Sequence, residues 1–356
     1  MRYGKYHGGT ESLNLGKGGY MGKYIGMDAH MSTCTFCVMD ESGTELDNAT
    51  IRTNGRLIIN YLRGMKGKKS LAFEECELSN WLYEITKDEV DELIVCNPVA
   101  NKEYKKKKTD KLDARKLAKL LRGNFLTPVY HDGSKRERFR GLMSGYQDLV
   151  NDTVRFKNRY KSLFRRSGIN VKGESIYRDR DSLKSLERPD FRFIGIQLHY
   201  LLERMNESLT IYQGQIERSK NHFKEIKNLM SIPGIGSIQA AKIVSQVINP
   251  ERFPDKYKYF AYCGLVRHKK ESGGRRYGNE KIWGNRTLKC VYKMAGHQAL
   301  KGTSALRKYY EHLLSKGASD KKAYNAVCRK IAAISLSIWR NNTRYDDSII
   351  LNNLIK

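Results

Sequence analysis

The sequence lacks any uninterrupted apolar run long enough to cross a bilayer, which argues against a membrane protein. Its first residues are Gly-rich and polar, so we expect no signal peptide and predict a flexible leader over residues 1–20. Acidic residues are scarce: 38 Asp and Glu stand against 66 Lys and Arg, which gives a formal net charge of +28. An excess of this size indicates a polyanionic partner, with a generic basic protein as the alternative.

The sequence also lacks the two pairs of cysteines or histidines that a structural zinc site requires. The seven cysteines are odd in number and lie mostly within apolar runs, which predicts reduced, buried thiols in a cytosol. Cys34 and Cys37 form one CxxC inside a predicted strand, but no second CxxC or His pair follows at zinc-site spacing. We therefore expect no structural zinc site and a cytoplasmic location.

Short apolar strands that alternate with helices over residues 21–130 predict a mixed α/β sheet domain. Three runs, KYIGMDAH, STCTFCVMD and TELDNATIRT, predict a β-meander at its start. Two further strands, SLAFEE and DELIVCNP, alternate with three predicted helices. We expect these helices to begin at Asn54, at a Ser79 cap, and at a cap formed by Thr109 or Asp110.

Two long runs with alternating spacings of three and four residues follow, which is typical of heptad seams. The seam residues are Leu142, Tyr146, Leu149, Thr153, Phe156, Tyr160 and Leu163, then Leu198, Leu202, Met205, Leu209, Tyr212, Ile216, Ser219, Phe223, Ile226 and Met230. They predict a helical coiled-coil region over 131–228 that projects from the sheet domain and can dimerise. An ordinary helical core is the alternative. The segment between the seams is polar and turn-rich.

Residues 229–356 predict a mostly α-helical C-terminal domain. It begins with two helical segments joined by a PGIG turn, and a loop rich in Lys, Arg, Tyr and Gly continues to about Gly284. Helices near 286–300, 304–316 and 320–340 are expected to close the chain.

Four acidic residues stand at strand ends or in the first turn of a helix: Asp28, Glu74, Asp110 and Asp113. Clustered carboxylates repel one another unless a cation neutralises them, and such hard oxygen ligands suit Mg²⁺. Together they predict a site for two Mg²⁺ ions, although each acid alone could be a surface acid or a helix cap. Period-two alternation sends Glu74 and Glu75 to opposite faces, and either one could face the metals.

Two segments have the composition of phosphate-binding surfaces. In the PGIG turn, Gly234 and Gly236 permit close approach, and the following helix N-terminus can hold a phosphate without reading bases. PGxG turns also occur without nucleic acid. The run KEYKKKK places Lys105, Lys106, Lys107 and Lys108 beside the carboxylates. It predicts the lining of a nucleic-acid channel, with a solvated face as the alternative.

Ser272 lies in a basic, Gly-rich segment, RHKKESGGRRYG. A serine that attacks phosphorus needs an exposed hydroxyl, nearby cations and a proton acceptor. Lys269, Lys270, Arg275 and Arg276 supply the cations, and the two glycines keep the approach open. Ser272 is therefore a candidate nucleophile, with a turn serine in a DNA-binding loop as the alternative.

Several segments together resemble the DEDD transposases, the bridge-RNA-guided insertion-sequence recombinases related to the pilin-gene invertase. These segments are GMDAH, AFEE, KTDKLDARKLAKLL, SIPGIG, YCGLVRHKKESGG, WGNRTLK and KKAYNAVCRKIAAI. The resemblance implies an RNase H-like domain of the Holliday-junction-resolvase type, a coiled-coil insertion and a C-terminal transposase domain with a catalytic serine. Matched motif by motif, it assigns the metal-binding tetrad to Asp28, Glu74, Asp110 and Asp113, and the nucleophile to Ser272.

The resemblance further implies a structured bridge RNA that pairs with target and donor DNA. The expected function is thus an RNA-guided, Mg²⁺-dependent DNA recombinase that forms a phosphoserine intermediate. We expect a homo-oligomer, a dimer or tetramer, located with the nucleoid in a prokaryotic cytoplasm. Because the tetrad and Ser272 belong to different predicted domains, we expect the active site to assemble in the oligomer. The alternatives are a metal-dependent junction resolvase that uses water and a non-catalytic nucleic-acid-binding protein.

Overall fold

The structure, a computed structural model, describes residues 22–100, 109–266, 269–279, 284–348 and 350–351. The predicted leader over 1–20 lies outside these residues. The chain divides into two compact units, Met1–Gly133 and Ser134–Lys356, so the predicted coiled-coil region and C-terminal domain fall almost entirely within one unit. In the described parts of the chain, no helix has the length and apolar character needed to span a membrane.

A five-stranded mixed sheet forms the first unit. Its strands are β1 (Lys23–Ala29), β2 (Thr33–Met39), β3 (Glu45–Arg52), β4 (Lys69–Glu74) and β5 (Glu92–Cys96). They are ordered β3-β2-β1-β4-β5. The first three strands pair antiparallel, as the predicted meander requires, whereas β4 pairs parallel with both β1 and β5. This mixed α/β arrangement is compatible with an RNase H-like domain.

Two helices connect the later strands, α1 (Gly55–Arg63) and α2 (Ser79–Thr86), and a third, α3 (Asp110–Arg122), follows β5. The Asn54 side chain caps α1 as predicted, and Thr109, rather than Asp110, caps α3. The predicted Ser79 cap is wrong, because Leu78 occupies the N-cap of α2. The Ser79 hydroxyl instead accepts the Cys76 N–H at 2.7 Å, which stabilises the turn before the helix.

The two faces of the sheet are packed differently. One face forms a core of large side chains with α1 and α2. Its buried members include Ile25, Met27, Leu71, Phe73, Ile58, Leu62 and Leu82. The other face approaches α3 so closely that a Cβ at Gly26 would lie 2.1 Å from the Ala114 carbonyl oxygen. The close contact between β1 and α3 places the start of α3 beside the carboxyl end of β1.

The second unit begins with the predicted helical hairpin, formed by α4 (Lys135–Arg166) and α5 (Pro189–Ser219). The connecting segment, predicted to be polar and turn-rich, contains two 3₁₀ turns, Ser175–Tyr177 and Arg180–Ser185. It nevertheless supplies buried apolar side chains. These are Ile176, Tyr177, Leu183 and Leu186, which pack with Tyr160, Phe164 and Phe191. The far end of the hairpin therefore has a small core of its own.

The second predicted seam ends earlier than its sequence pattern suggests. It was expected to continue to Met230, but α5 ends at Ser219 and a separate helix, α6 (Lys224–Leu229), follows. Phe223 adopts an extended conformation and packs on Phe139, with ring centroids 5.0 Å apart. The base of the hairpin shares this core with the C-terminal helices.

The rest of the second unit is mostly helical. Its helices are α7 (Ser237–Val247), α8 (Lys256–Tyr262), α9 (Arg286–Ala299), α10 (Ala305–Ser315) and α11 (Asp320–Asn341). The last three confirm the predicted helices near the end of the chain. The predicted loop before them is corrected, since it contains α8 and a β-hairpin of β6 (Lys269–Ser272) and β7 (Arg275–Asn279). Period-two alternation is weak in this basic, Gly-rich stretch, so its strands gave no clear pattern.

Candidate active site

Asp28 and His30 lie at the carboxyl end of β1. His30 is the first residue after this strand, which ends at Ala29. The Asp28 side chain is only 21% exposed, and its Oδ2 lies 3.3 Å from Nε2 of His30. The His30 backbone is held in place by its N–H, which donates to the Thr33 carbonyl oxygen at 2.9 Å, and by its own carbonyl oxygen, which accepts the Thr53 hydroxyl at 2.6 Å.

The first turn of α3 brings Asp110 to the same place. Its Oδ1 lies 3.8 Å from Nε2 of His30. One ligand atom each from Asp28, His30 and Asp110 lies within 4.8 Å of the others, and they are the residues among those described that form such a potential metal-binding group. Asp113, one turn further along α3, is near enough for its charge to act on Asp28.

The electrostatics of this cluster disfavour a negative charge on Asp28. Burial raises the pKa of the Asp28 carboxyl, and the charges of Asp110 and Asp113 raise it further, against a lowering effect of His30. Carboxylates held together in this way are relieved by a cation, and their oxygen atoms are the ligands that hard divalent metals take. The donor set therefore fits a divalent metal.

The strand register places Glu74 on the α3 side of the sheet. Gly26 pairs with Ala72 and Met27 with Phe73, so Glu74 is the next position beside Asp28. Because alternate residues share a face, Asp28 and Glu74 face α3 together with Gly26. Glu74 lies beside Lys116 of that helix, with 3.8 Å between Oε1 and Nζ.

Glu75 has different surroundings. It follows the end of β4, its N–H donates to the Cys96 carbonyl oxygen at 2.9 Å, and its Oε1 lies 3.8 Å from Nε2 of His131. The sequence could not tell which of these two neighbouring acids faces Asp28. The structure places them in different surroundings. It does not bring Glu74 or Asp113 into the close group of Asp28, His30 and Asp110.

Ser272 lies at the tip of the β6–β7 hairpin. It pairs with Arg275 across a two-residue turn, in which Gly273 and Gly274 have φ of 56° and 74°. Turns of this kind require positive φ at both positions, which explains the GG pair. Ser272 and Arg275 are exposed, and a Cβ at either glycine would meet nothing within 4 Å. The hydroxyl is therefore accessible to a large substrate.

The predicted phosphate-binding residues lie in different parts of the chain. Lys105, Lys106, Lys107 and Lys108 lie outside the described residues, while Lys269, Lys270 and Arg276 lie in the hairpin strands. Gly234 has φ of 89°, and a Cβ there would lie 2.3 Å from the Ala295 carbonyl oxygen, so packing of the turn on α9 requires this glycine. Gly236 is exposed at the start of α7.

The N-terminus of α7 already has acceptors from the chain itself. The Gly236 N–H donates to Gln239 Oε1 at 3.1 Å. Hydrogen bonds from Lys220 and from the Ser237 hydroxyl lower the pKa of Glu217, so a carboxylate lies beside the first residue of the helix. A phosphate bound at this helix would have to compete with that carboxylate.

Two site residues were missed by the sequence reasoning, His30 and Lys116. For His30 a signal existed, because it follows Asp28 by two residues in GMDAH. Lys116 follows Asp113 by three residues and so shares its helix face. Its proximity to Glu74 depends on the packing of α3 against β4, which no local pattern predicts.

Two family models match the chain. The DEDD transposase model of IS110-type elements, described as a transposase, matches residues 25–168. A second model, described as the transposase of the IS116/IS110/IS902 family, matches residues 226–311. The first covers Asp28, Glu74, Asp110 and Asp113, and the second covers Ser272. Together the two matches extend over well more than half of the chain.

A curated relative is the uncharacterized protein of insertion element IS110 from Streptomyces coelicolor. The two chains are 27% identical over 119 residues, which is 33% of this chain and 29% of the relative. The alignment thus spans under a third of the relative's length. DEDD transposases typically use a divalent metal, in agreement with the donor set at the end of β1. The chain belongs to the IS110 family of DEDD transposases, which are enzymes of DNA recombination.

Proposed function

We propose that this chain is the DNA transposase of an insertion sequence and that it cuts and rejoins DNA strands. The observation that supports this most directly is the convergence of Asp28, from β1, and Asp110, from α3, on one face of the mixed sheet. Asp113 and Glu74 belong to the same face of the fold. Family membership and the net charge of +28 agree with a phosphodiester substrate.

In this proposal Asp28, Glu74, Asp110 and Asp113 hold Mg²⁺, with two ions per site. A divalent ion there would reduce the cost of negative charge on the phosphoryl and leaving oxygens. The raised pKa of Asp28 supports the assignment, since burying a carboxyl group beside other acids destabilises the metal-free protein. Lys116 orients Glu74 through their ion pair.

Ser272 acts as the nucleophile of the proposed reaction. Its Oγ forms a bond to phosphorus, the bond from phosphorus to the leaving sugar oxygen breaks, and the serine proton passes to that oxygen. The phosphoserine conserves the energy of the broken bond, so a second sugar hydroxyl can reverse the step and join a new strand without ATP. The exposed hairpin tip and Arg275 beside it support this role.

The nucleic acids of the proposed reaction are a bridge RNA and the target and donor DNA that it pairs with. Lys105–Lys108 and the hairpin cations contact backbone phosphates rather than bases, and the PGIG turn does so when a phosphate replaces the Glu217 carboxylate beside Ser237. We assign the RNase H-like domain to residues 21–130, the coiled-coil region to 131–228 and the serine-bearing domain to 229–356. A homo-oligomer, dimer or tetramer, supplies the complete set of catalytic groups.

Guidance by RNA is tested by sequencing the nucleic acid that co-purifies with the protein. We expect one structured RNA, transcribed from next to the gene, with loops that match the DNA at the ends of the element. The matched control is the same purification after a basic protein of similar charge is expressed in the same host. Recovery of the same mixed RNA from both proteins would contradict guidance.

Glu74→Gln and Glu75→Gln form a matched pair that tests the metal site. We expect Glu74→Gln to weaken the apparent Mg²⁺ affinity by about 10-fold or more, because Glu74 shares a face with Asp28. Glu75→Gln should leave it unchanged, since Glu75 lies beside His131. The measurement is the rise in melting temperature during a Mg²⁺ titration. The reverse ranking would move the ligand role to Glu75.

A water-using junction resolvase is the second candidate function. The same carboxylates would then cleave DNA without the serine, as RNase H-like nucleases do. The exposed position of Ser272 at a tight hairpin turn favours the recombinase, because a nuclease has no need of that hydroxyl. The two functions differ in whether a protein–DNA adduct forms.

A further inference from the structure

His30 lies beside Asp28 and Asp110 but is not one of the four carboxylates proposed to hold the metal. Its Nε2 lies 3.3 Å from Oδ2 of Asp28 and 3.8 Å from Oδ1 of Asp110. The Nε2 atom therefore lies within 4 Å of a carboxylate oxygen of both acids, although 58% of the His30 side chain is exposed.

The backbone around His30 is fixed from two sides. Its N–H donates to Thr33 and its carbonyl oxygen accepts the Thr53 hydroxyl, so the short connection between β1 and β2 is tied to the end of β3. His30 directly follows β1, which ends at Ala29. The backbone that carries the ring is thus tied to the end of the sheet by two hydrogen bonds.

The spacing of the three donor atoms is close to what one metal ion requires. With ligand distances of about 2.1 Å, neighbouring ligands in an octahedron lie about 3 Å apart and opposite ones about 4.2 Å apart. The three atoms lie within 4.8 Å of one another, and the Asp28–His30 separation of 3.3 Å is already near the neighbouring value. Small rotations of exposed side chains would complete the coordination.

We propose that His30 is a nitrogen ligand of the metal held by Asp28 and Asp110. This inference rests on the proposed metal site and adds to it a ligand of different chemistry. The centre would then be a mixed nitrogen and oxygen site. An imidazole ligand favours first-row transition metals such as Mn²⁺ over Mg²⁺, which prefers oxygen.

His30→Ala should therefore change metal selectivity and not only metal affinity. We expect its Mn²⁺ affinity to fall by about 10-fold or more, whereas its Mg²⁺ affinity changes by less than about 3-fold. His222→Ala is the matched control, because His222 is an exposed histidine of the other compact unit. It should leave both affinities unchanged.

The decisive experiment is pulsed electron paramagnetic resonance of Mn²⁺ added to the full-length protein without nucleic acid. We expect ¹⁴N couplings of a coordinated imidazole in the unaltered protein and in His222→Ala, and their loss in His30→Ala. The unaltered protein alone can decide the question if a variant does not fold. Bound Mn²⁺ without nitrogen coupling would overturn the inference and leave an all-oxygen site intact. Failure of the unaltered protein to bind Mn²⁺ or Mg²⁺ would overturn the proposed metal site as well.

Discussion

Ser272→Ala is expected to abolish the covalent protein–DNA adduct and to reduce strand exchange by about 10⁴-fold or more. The substitution removes the only atom that forms the proposed bond to phosphorus, and it leaves the hairpin turn intact because Gly273 and Gly274 determine that turn. A denaturing gel with end-labelled DNA measures the adduct. A plasmid recombination assay with the guide RNA supplied in the same cells measures strand exchange.

Tyr277→Phe is the matched control for this experiment. Tyr277 is 71% exposed on the neighbouring strand β7, so it is the other hydroxyl of the hairpin that DNA could reach. We expect Tyr277→Phe to retain the adduct. An adduct that survives Ser272→Ala but not Tyr277→Phe would identify a tyrosine nucleophile. DNA cleavage without an adduct in the unaltered protein would favour the water-using resolvase.

Asp28→Asn is expected to stabilise the metal-free protein and to remove the stabilisation that metal provides. The folded protein holds the Asp28 carboxyl mostly buried beside Asp110 and Asp113, whose charges raise its pKa and oppose its ionisation. At a metal concentration about 100 times the dissociation constant, binding adds about 2.7 kcal/mol to the free energy of unfolding. For a unit of the size of Met1–Gly133 this raises the melting temperature by about 10 °C. Melting curves with EDTA and with excess Mg²⁺ measure both effects.

The effect of Asp28→Asn should depend on pH in a defined direction. The folded state raises the pKa of Asp28 above its ordinary value. Ionisation of Asp28 therefore destabilises the folded protein at pH values above the raised pKa. This penalty decreases as the pH falls below the raised pKa and is gone below the ordinary pKa of an aspartate. In the presence of EDTA, the extra stability of Asp28→Asn over the unaltered protein should therefore decrease as the pH is lowered.

Asp88→Asn is a suitable control, because Asp88 is an exposed acid of the same unit. Its replacement should change the free energy of unfolding by less than about 0.5 kcal/mol and leave the metal effect intact. A lower melting temperature for metal-free Asp28→Asn, with the metal shift retained, would show that Asp28 has a structural role instead.

Much of the first unit could be predicted from local patterns. The meander, the two later strands and the Asn54 cap follow from alternation and capping chemistry, which act between residues close in sequence. The same holds for Asp110 and Asp113, since three residues of helix place them on one face. Local patterns failed at Ser79, whose hydroxyl accepts a hydrogen bond within the preceding turn instead of capping α2. They also failed at the end of α5, where Phe223 leaves the helix and packs on Phe139.

The sequence by itself determined the residue types of the candidate site, the basic character of the chain and the family resemblance, because these depend on composition and motif. Only the tertiary structure decided which of the two acids shares a sheet face with Asp28, since the register of β4 against β1 places Glu74 toward α3 and Glu75 toward His131. It also decided that His30 lies between Asp28 and Asp110. Pairing of distant strands and the packing of α3 on Gly26 create these neighbours, and neither leaves a periodic signal in the chain.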